Sequence, residues 1–373
     1  MNQFKERLSQ YWDAIQGGLF PRLEVHFGKP TPRQQHLIQI LEVVRVEEHC
    51  GYNSFDSIGR PQCDRAAIAR SFVAKAIYQI ATTELLIEHL KADRILRCIC
   101  GFENPGQVPS ASTYSRAFEE FAESELPNRV HAALIQEQFA DHLFGHIARD
   151  STTVASREEA LVKPKVKKEK PHKKRGRPRK DEPRKEPEPI EESMIKKQLT
   201  MGQAELLKSI PTQCDIGTKM DSKGYKMSWK GFKLHIDTAD GRIPIAALLS
   251  SASTHDSQVA IPLSRLSSAR ASYCYELMDA AYDCSLIRND IRENDHVPLI
   301  DSNKRRGKKV EFAPHEAQRY KTRTIAEQVN ARLKDEFGLL NIRVKKHKKV
   351  FCHVMFSVLA LAGDEFLRFM KPI

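Results

Sequence analysis

The sequence predicts a mixed α/β domain, a sheet flanked by helices, preceded by an all-helical N-terminal domain. Three observations carry that expectation. Residues 1–140 show apolar side chains at helical spacing. An apolar stretch with β-branched members follows at 142–154, and from 201 onward short apolar runs alternate with helical ones. Between these parts, residues 157–200 form a basic tract punctuated by proline. The expected division is therefore a helical domain over 1–140, an α/β domain made of 141–156 and 201–373, and an insert over 157–200.

In the first part, "RAAIARSFVAKAIYQIATTELLIEHLKA" (65–92) has the spacing of a helix, with small residues that permit close packing. "GFENPGQVPSAS" (101–112) collects Gly, Pro, Asn and Ser and is a loop, with Ser110 or Ser112 able to cap the next helix, "TYSRAFEEFAESE". A helix, a Gly/Pro turn and a second helix bearing Thr113, Tyr114, Ser115 and Arg116 suit a DNA-reading pair. They suit a packing or dimerisation domain equally well. "HLFGHIARDSTTV" (142–154) then reads as a strand that ends at Asp150 in a hydroxyl-rich turn.

The insert is different in kind. Between Lys163 and Lys180 there are eleven Lys or Arg residues and one Glu, and six prolines run from Pro164 to Pro189. Such a segment cannot bury enough apolar surface to fold alone, which predicts disorder. Inside it, Arg175-Gly176-Arg177-Pro178 is similar to an AT-hook, an extended element that lays arginines along a narrow A·T minor groove. Nonspecific phosphate attraction is the plainer alternative.

Beyond residue 201, "GFKLHIDTADGRIPIAALLSSAS" (231–253) predicts two strands joined at Asp240-Gly241. "THDSQVAIPLSRLSS" (254–268) has helical periodicity, and "CYELMDAAYD" (274–283) is a short strand ending in Asp279. "SLIRNDIREN" is helical and "HVPLID" (296–301) is a strand. The apolar run "VMFSVLALAG" (354–363) is followed by Asp364 and Glu365 and is too short to span a bilayer, so it reads as a buried helix.

Composition narrows the function. Lys plus Arg outnumber Asp plus Glu by 60 to 48, a net charge of +12, which favours nucleic acid over membrane as partner. The opening "MNQFKERLSQYWDAIQ" has no apolar core for a signal peptide. The eight cysteines form neither a CxxC pair nor a zinc pattern, so reduced thiols in a cytosol are expected.

Chemistry concentrates in "YKTRTIAEQVNARLK" (320–334). At about 100° per residue, Tyr320, Arg323, Glu327 and Lys334 fall near 0°, −60°, −20° and −40°, one polar stripe of a helix. Ile325, Val329, Leu333 and Phe337 gather opposite it. A solvated face with an i,i+4 Arg–Glu pair is the bland alternative. Yet Asp150 and Asp279 each end a predicted strand, where α/β sheets place their ligands, and Glu327 adds a third carboxylate. Three carboxylates from far-apart stretches are what a pair of Mg²⁺ ions needs to clamp the attacking and leaving oxygens of a phosphodiester. Asp283 competes with Asp279; Asp279 is preferred because it ends the apolar run. His235 and His255 are read as strand-packing or turn residues.

These residues are those in which the chain resembles the DDE transposases of bacterial insertion sequences, in particular those with the signature Tyr-x2-Arg-x3-Glu-x6-Lys. Tyr320, Arg323, Glu327 and Lys334 match every position and gap. "DSTTV" and "MDAAYDC" look like the two aspartate motifs, "KGFKLHIDTADGRIPIAALLSSASTHDSQ" like the connecting hairpin, with Phe232 in place of a tyrosine, and "PSASTYSRAF" like a segment of the helical N-terminal region. The interval between Asp279 and Glu327 has no room for the β-rich insertion some members carry, and no family role carries over to the basic insert. The resemblance implies an RNase H-like fold and a catalytic triad of Asp150, Asp279 and Glu327 binding two Mg²⁺ ions, with Mn²⁺ as a substitute. It implies double-stranded DNA as partner, both terminal inverted repeats and target, with Arg323 and Lys334 on phosphates and Tyr320 beside them. A homodimer in the synaptic complex and a cytoplasmic, nucleoid-associated location follow. Two other function classes remain: a catalytically inactive DNA-binding regulator or architectural protein, and an RNase H-like nuclease without strand transfer.

Overall fold

The computed structural model describes residues 28–51, 62–161, 192–220, 224–303 and 310–370. Before the first strand, the described residues form helices α1 (Pro32–Val44), α2 (Arg65–Ile77), α3 (Thr83–Ala92), α4 (Arg94–Cys100), α5 (Ala111–Glu123) and α6 (Leu126–Gln138). Their starts are chemically specified. Thr31 and Gln34 satisfy each other's backbone at α1, and the side chains of Asp64, Thr82 and Asp93 accept amide hydrogens at α2, α3 and α4. The run expected as one helix over 65–92 is therefore two: Gln79 takes a left-handed φ of 54° and Thr82 begins a new cap. Tyr114 is fully buried in α5, its hydroxyl donating to Ser71, so it cannot read DNA.

The sheet contains β1 (Leu143–Ala155), β2 (Asp215–Met220), β3 (Lys226–Ala239), β4 (Ile243–Ser251), β5 (Ser272–Met278) and β6 (Val297–Ile300), in the order β2-β3-β1-β5-β6, with β4 beside β3. β1 runs antiparallel to β3 and parallel to β5, and β5 is parallel to β6. The β3–β4 turn falls at Asp240–Arg242, as the Asp-Gly pair predicts, with Gly241 at φ 79°. β2 and the first half of β3 were not anticipated from the sequence. At Gly231, φ is 147° and an added Cβ would lie 2.2 Å from the Val154 carbonyl oxygen, so only glycine lets β1 approach there.

The remaining helices are α7 (Met194–Leu199), α8 (Gln203–Lys208), α9 (Ser257–Ser268), α10 (Ser285–Glu293), α11 (Pro314–Tyr320), α12 (Thr324–Asp335) and α13 (His347–Met370). α13 contains the apolar run 354–363. It is long and apolar enough to cross a membrane by composition, but its most apolar stretch is almost wholly buried as the central helix of the core. Phe356 packs against Phe72, Phe118 and Phe121 of the N-terminal helices, and the same apolar cluster continues to Phe232, Leu234 and Ile236 of β3. Asp364 and Glu365, buried just after the apolar run, are held by Arg332 of α12.

The basic insert is shorter than 157–200. Ser193 caps α7, whose buried Gln198 donates to Ser209 and to the Gln258 carbonyl. This anchoring lies in the C-terminal part expected to be unstructured. The AT-hook-like residues Arg175, Gly176, Arg177 and Pro178 lie outside the described residues.

Candidate active site

β1 does not end at Asp150: it continues to Ala155 because β3 keeps pairing with it as far as Gly231. What stops early is β5. The parallel β1–β5 pairing ends at Ala148 and Leu277, and Asp150 and Asp279 each lie two residues further along. The same register that zips the strands therefore carries both carboxylates to neighbouring positions where the sheet opens. Asp279 also begins the turn Ala280–Tyr282, its Oδ1 accepting from the Ala281 amide at 2.9 Å. Asp283 is engaged elsewhere, bonded to Arg288 and to the Asn303 amide.

Alternation along β1 puts Asp150 on the face covered by α12. Asn330 of α12 donates to Asp150 Oδ2 at 2.9 Å. Glu327 lies one turn earlier on that helix, half-exposed, and ion-pairs with Arg323. The polar stripe does not ride one continuous helix. Tyr320 ends α11, Arg323 closes a 3₁₀ turn (Lys321–Arg323), and Glu327 and Lys334 lie on α12. The break is useful to the site: the Tyr320 hydroxyl donates to the Met278 carbonyl oxygen at 3.1 Å, immediately before Asp279. Of the opposite face, Val329, Leu333 and Phe337 are buried as expected and Ile325 is partly buried.

Burial raises the carboxyl pKa of both Asp150 and Asp279. The Asp279 charge adds to the rise at Asp150 and the Asp256 charge to that at Asp279, while Arg323 opposes both. Tyr320 is pushed up to about 12, chiefly by burial. Lys334 is pushed down by burial and then by the neighbouring ammonium of Lys219. The site thus holds like charges side by side, two acidic and two basic.

On the other face of β1, α9 covers a different arrangement. Arg149 donates two bonds of 2.7 Å to Asp237 and a third to the Ala260 carbonyl oxygen. Ser151 donates to Asp256, which also accepts from Lys233 at 2.9 Å. His235 is buried beside them, its Nε2 against Ser250, and His255 bonds Ser257 at the start of α9.

Sequence reasoning missed Asn330, Asp256, Lys233 and Arg149. The first had a signal, since it sits three residues beyond Glu327 on the same helix face. The others become visible only once β1 and β3 are in register.

The donor set suits a hard divalent cation. Asp150 and Asp279 offer neighbouring oxygens whose charges burial disfavours, and Asn330 Oδ1, beside Asp150, is buried without a hydrogen-bond partner among the described residues. The third carboxylate, Glu327, is occupied by Arg323. Among the described residues, no three His, Cys, Asp or Glu side chains close into a metal cage.

Residues 208–362 match a family model described as "Transposase DDE domain", and residues 27–120 match one described as "Transposase domain (DUF772)". The first match spans Asp279 and Glu327; Asp150 lies between the two matched stretches. No curated protein matches the chain. The two matches support an insertion-sequence transposase. The DDE domain implies an RNase H-like fold, consistent with the mixed sheet flanked by helices, and a divalent metal ion and DNA substrates are normal for such enzymes.

Proposed function

We propose that this chain is a cut-and-paste DNA transposase that cleaves at insertion-sequence ends and joins the freed 3′-OH to target DNA, using Asp150, Asp279 and Glu327 as its catalytic triad. The observation that carries this reading is the β1–β5 register, which brings Asp150 and Asp279 side by side at the sheet's opening under α12. The match to a transposase DDE domain supports it independently.

The three carboxylates would hold two Mg²⁺ ions, with Mn²⁺ as a substitute. Such ions lower the pKa of a bound water and neutralise charge on the phosphodiester. The chain's own residues do the rest. Asn330 fixes the Asp150 carboxylate, and Tyr320 pins the strand end that carries Asp279. Arg323 and Lys334 hold phosphates of the strand to be cut. The helical N-terminal region serves DNA end binding or dimerisation, the basic insert adds phosphate or minor-groove contacts through Arg175, Gly176, Arg177 and Pro178, and the enzyme works as a homodimer in the cytoplasm, at the nucleoid.

The test is to incubate the protein with labelled duplexes carrying the terminal inverted repeats that flank its gene, together with Mg²⁺. Nicked ends and joined products are expected, with Asp150→Asn, Asp279→Asn and Glu327→Gln binding the ends but leaving them intact. Binding without nicking in the wild type would indicate a regulator, and nicking without joined product a nuclease. Cleavage that survives Asp279→Asn but not Asp283→Asn would move the second ligand to Asp283.

A further inference from the structure

β2 and the first half of β3 form a ribbon that the rest of the sheet does not accompany. Their pairing runs from Asp215–Gly231 out to Met220–Lys226, whereas β1 stops opposite Gly231 and β4 opposite Phe232. The root is firmly held. An added Cβ at Gly217 would lie 2.5 Å from the Trp229 ring, and the Trp229 indole donates to the Phe232 carbonyl oxygen at 3.0 Å. Asp215 accepts from the Ser253 amide at 2.8 Å, and the Ser156 amide donates to the Lys230 carbonyl oxygen at 2.9 Å.

Past the root, large apolar side chains stand in solvent: Ile216 is 58% exposed, Met220 62%, Met227 61% and Tyr225 70%. Cross-strand pairing puts Ile216 with Lys230 and Met220 with Lys226 on one face, and Met227 with Lys219 on the other. An isolated two-stranded ribbon is marginal in water, and exposing such side chains on both faces adds to that cost. A partner that accepts lysine and apolar side chains together would offset it. The described residues 216–220 and 224–230 carry Lys219, Lys226 and Lys230 and no Asp or Glu, which selects a polyanion. A second copy of the same ribbon would present like charges to it. The ribbon starts where β1 ends, opposite Ala155 and five residues past Asp150, and the charge of Lys219 on its outer part acts on both Asp279 and Lys334.

We propose that the β2–β3 ribbon is a DNA-grasping arm that enters a groove of the duplex next to the bond to be cut. Its lysines meet the phosphates, while Tyr225, Met227, Ile216 and Met220 lie against sugars and base edges. A two-stranded ribbon fits the major groove, where apolar contact to base edges is read. The inference rests on the reading of the chain as a DNA-cutting enzyme and adds where the duplex is held.

The test uses the full-length protein, the Lys226→Gln/Lys230→Gln and Tyr225→Ser/Met227→Ser double variants, a duplex ending in the gene's terminal inverted repeat, and a scrambled duplex of equal length. The lysine variant is expected to flatten the dependence of log Kobs on log salt by about 2, at about 0.9 for each phosphate no longer neutralised. Both variants should lose protection over one short stretch beside the cleavage point, keep it elsewhere, and raise KM for DNA about tenfold with a far smaller change in kcat. Thermal midpoints equal to wild type would show that they fold. An unchanged footprint and salt slope overturns the proposal. So does a variant that falls from dimer to monomer in sedimentation without DNA, which would make the ribbon an interface between copies. A wild type that binds neither duplex sinks the underlying transposase reading instead.

Discussion

Arg149 and Asp150 are neighbours on one strand, and their side chains enter opposite worlds. Arg149 meets Asp237 in a two-pronged bond, and Ser267 and the Ala260 carbonyl oxygen complete the arrangement. Burial alone would lower the Arg149 pKa, but the Asp237 carboxylate, helped by Glu276, raises it. Asp150 meets another acid, Asp279, at the sheet's opening, and burial raises the pKa of both. On one side Arg149 meets the Asp237 and Glu276 carboxylates and Lys233 meets Asp256, so each buried cation has an anion, which is how a fold holds buried charge. On the other, like charges are gathered with too few partners, which costs stability and makes sense only where a ligand of opposite sign arrives.

The largest effect that would break this contrast is on stability. Arg149→Met leaves Asp237 buried without its cation, and truncating one partner of a buried ion pair typically costs about 3–5 kcal/mol. Asp150→Asn removes a charge that burial already disfavours, so it is expected to leave the urea midpoint unchanged or slightly raised. Equal losses in the two variants would mean that the two faces of β1 are not different in kind.

A divalent cation should sharpen the contrast. A ligand that binds only the folded state stabilises it by about 2.7 kcal/mol at a hundredfold excess over Kd. Mg²⁺ is therefore expected to raise the thermal midpoint of the wild type and of Lys226→Gln/Lys230→Gln, but not that of Asp150→Asn/Asp279→Asn. Chelation should reverse the gain. A midpoint that rises equally in the double Asn variant would place the cation elsewhere.

Without divalent cation, pH separates the faces by sign. His235 is buried on the paired side and pushed down to about 4, chiefly by burial. Its folded pKa is depressed, so its contribution is complete above the unfolded value of about 6.5 and is lost as pH falls toward 4. Asp150 and Asp279 are raised, so their contribution is complete below the ordinary value of about 3.9 and is lost as pH rises through the raised values. Relative to wild type, Asp150→Asn/Asp279→Asn should gain stability as pH climbs from 4 to 7. A parallel pair of stability curves would refute the sign.

Much of this was legible before any fold was known, and the reasons are local. Asp279 follows a short apolar run, and that run is a strand that stops there. Val329, Leu333 and Phe337 recur at helical spacing and are buried together. What escaped depends on pairing at a distance. Asp150 looked like a strand end because the hydroxyl-rich "DSTTV" carries no apolar signal, but β3 extends β1 past it. The stripe from Tyr320 to Lys334 looked like one helix because a 3₁₀ turn keeps nearly the same periodicity. Arg149 gave no hint of its role, since an arginine beside a strand aspartate looks the same in sequence whichever face it enters.

The smallest effect concerns the basic half of the site. Lys334 is half-buried beside Lys219, and burial together with that second ammonium lowers its pKa. Two cations held together are the mirror image of Asp150 and Asp279: they are relieved by an anion, and the phosphate backbone supplies one. Lys334→Gln should leave the fold's stability intact, flatten the salt dependence of DNA binding by about 1, and weaken binding to terminal-repeat and scrambled duplexes alike, because a phosphate contact carries no base preference. If the substitution instead weakens binding to the terminal repeat alone, Lys334 reads a base edge, and the pairing of two anions with two cations around one cleaved bond is the wrong description of the site.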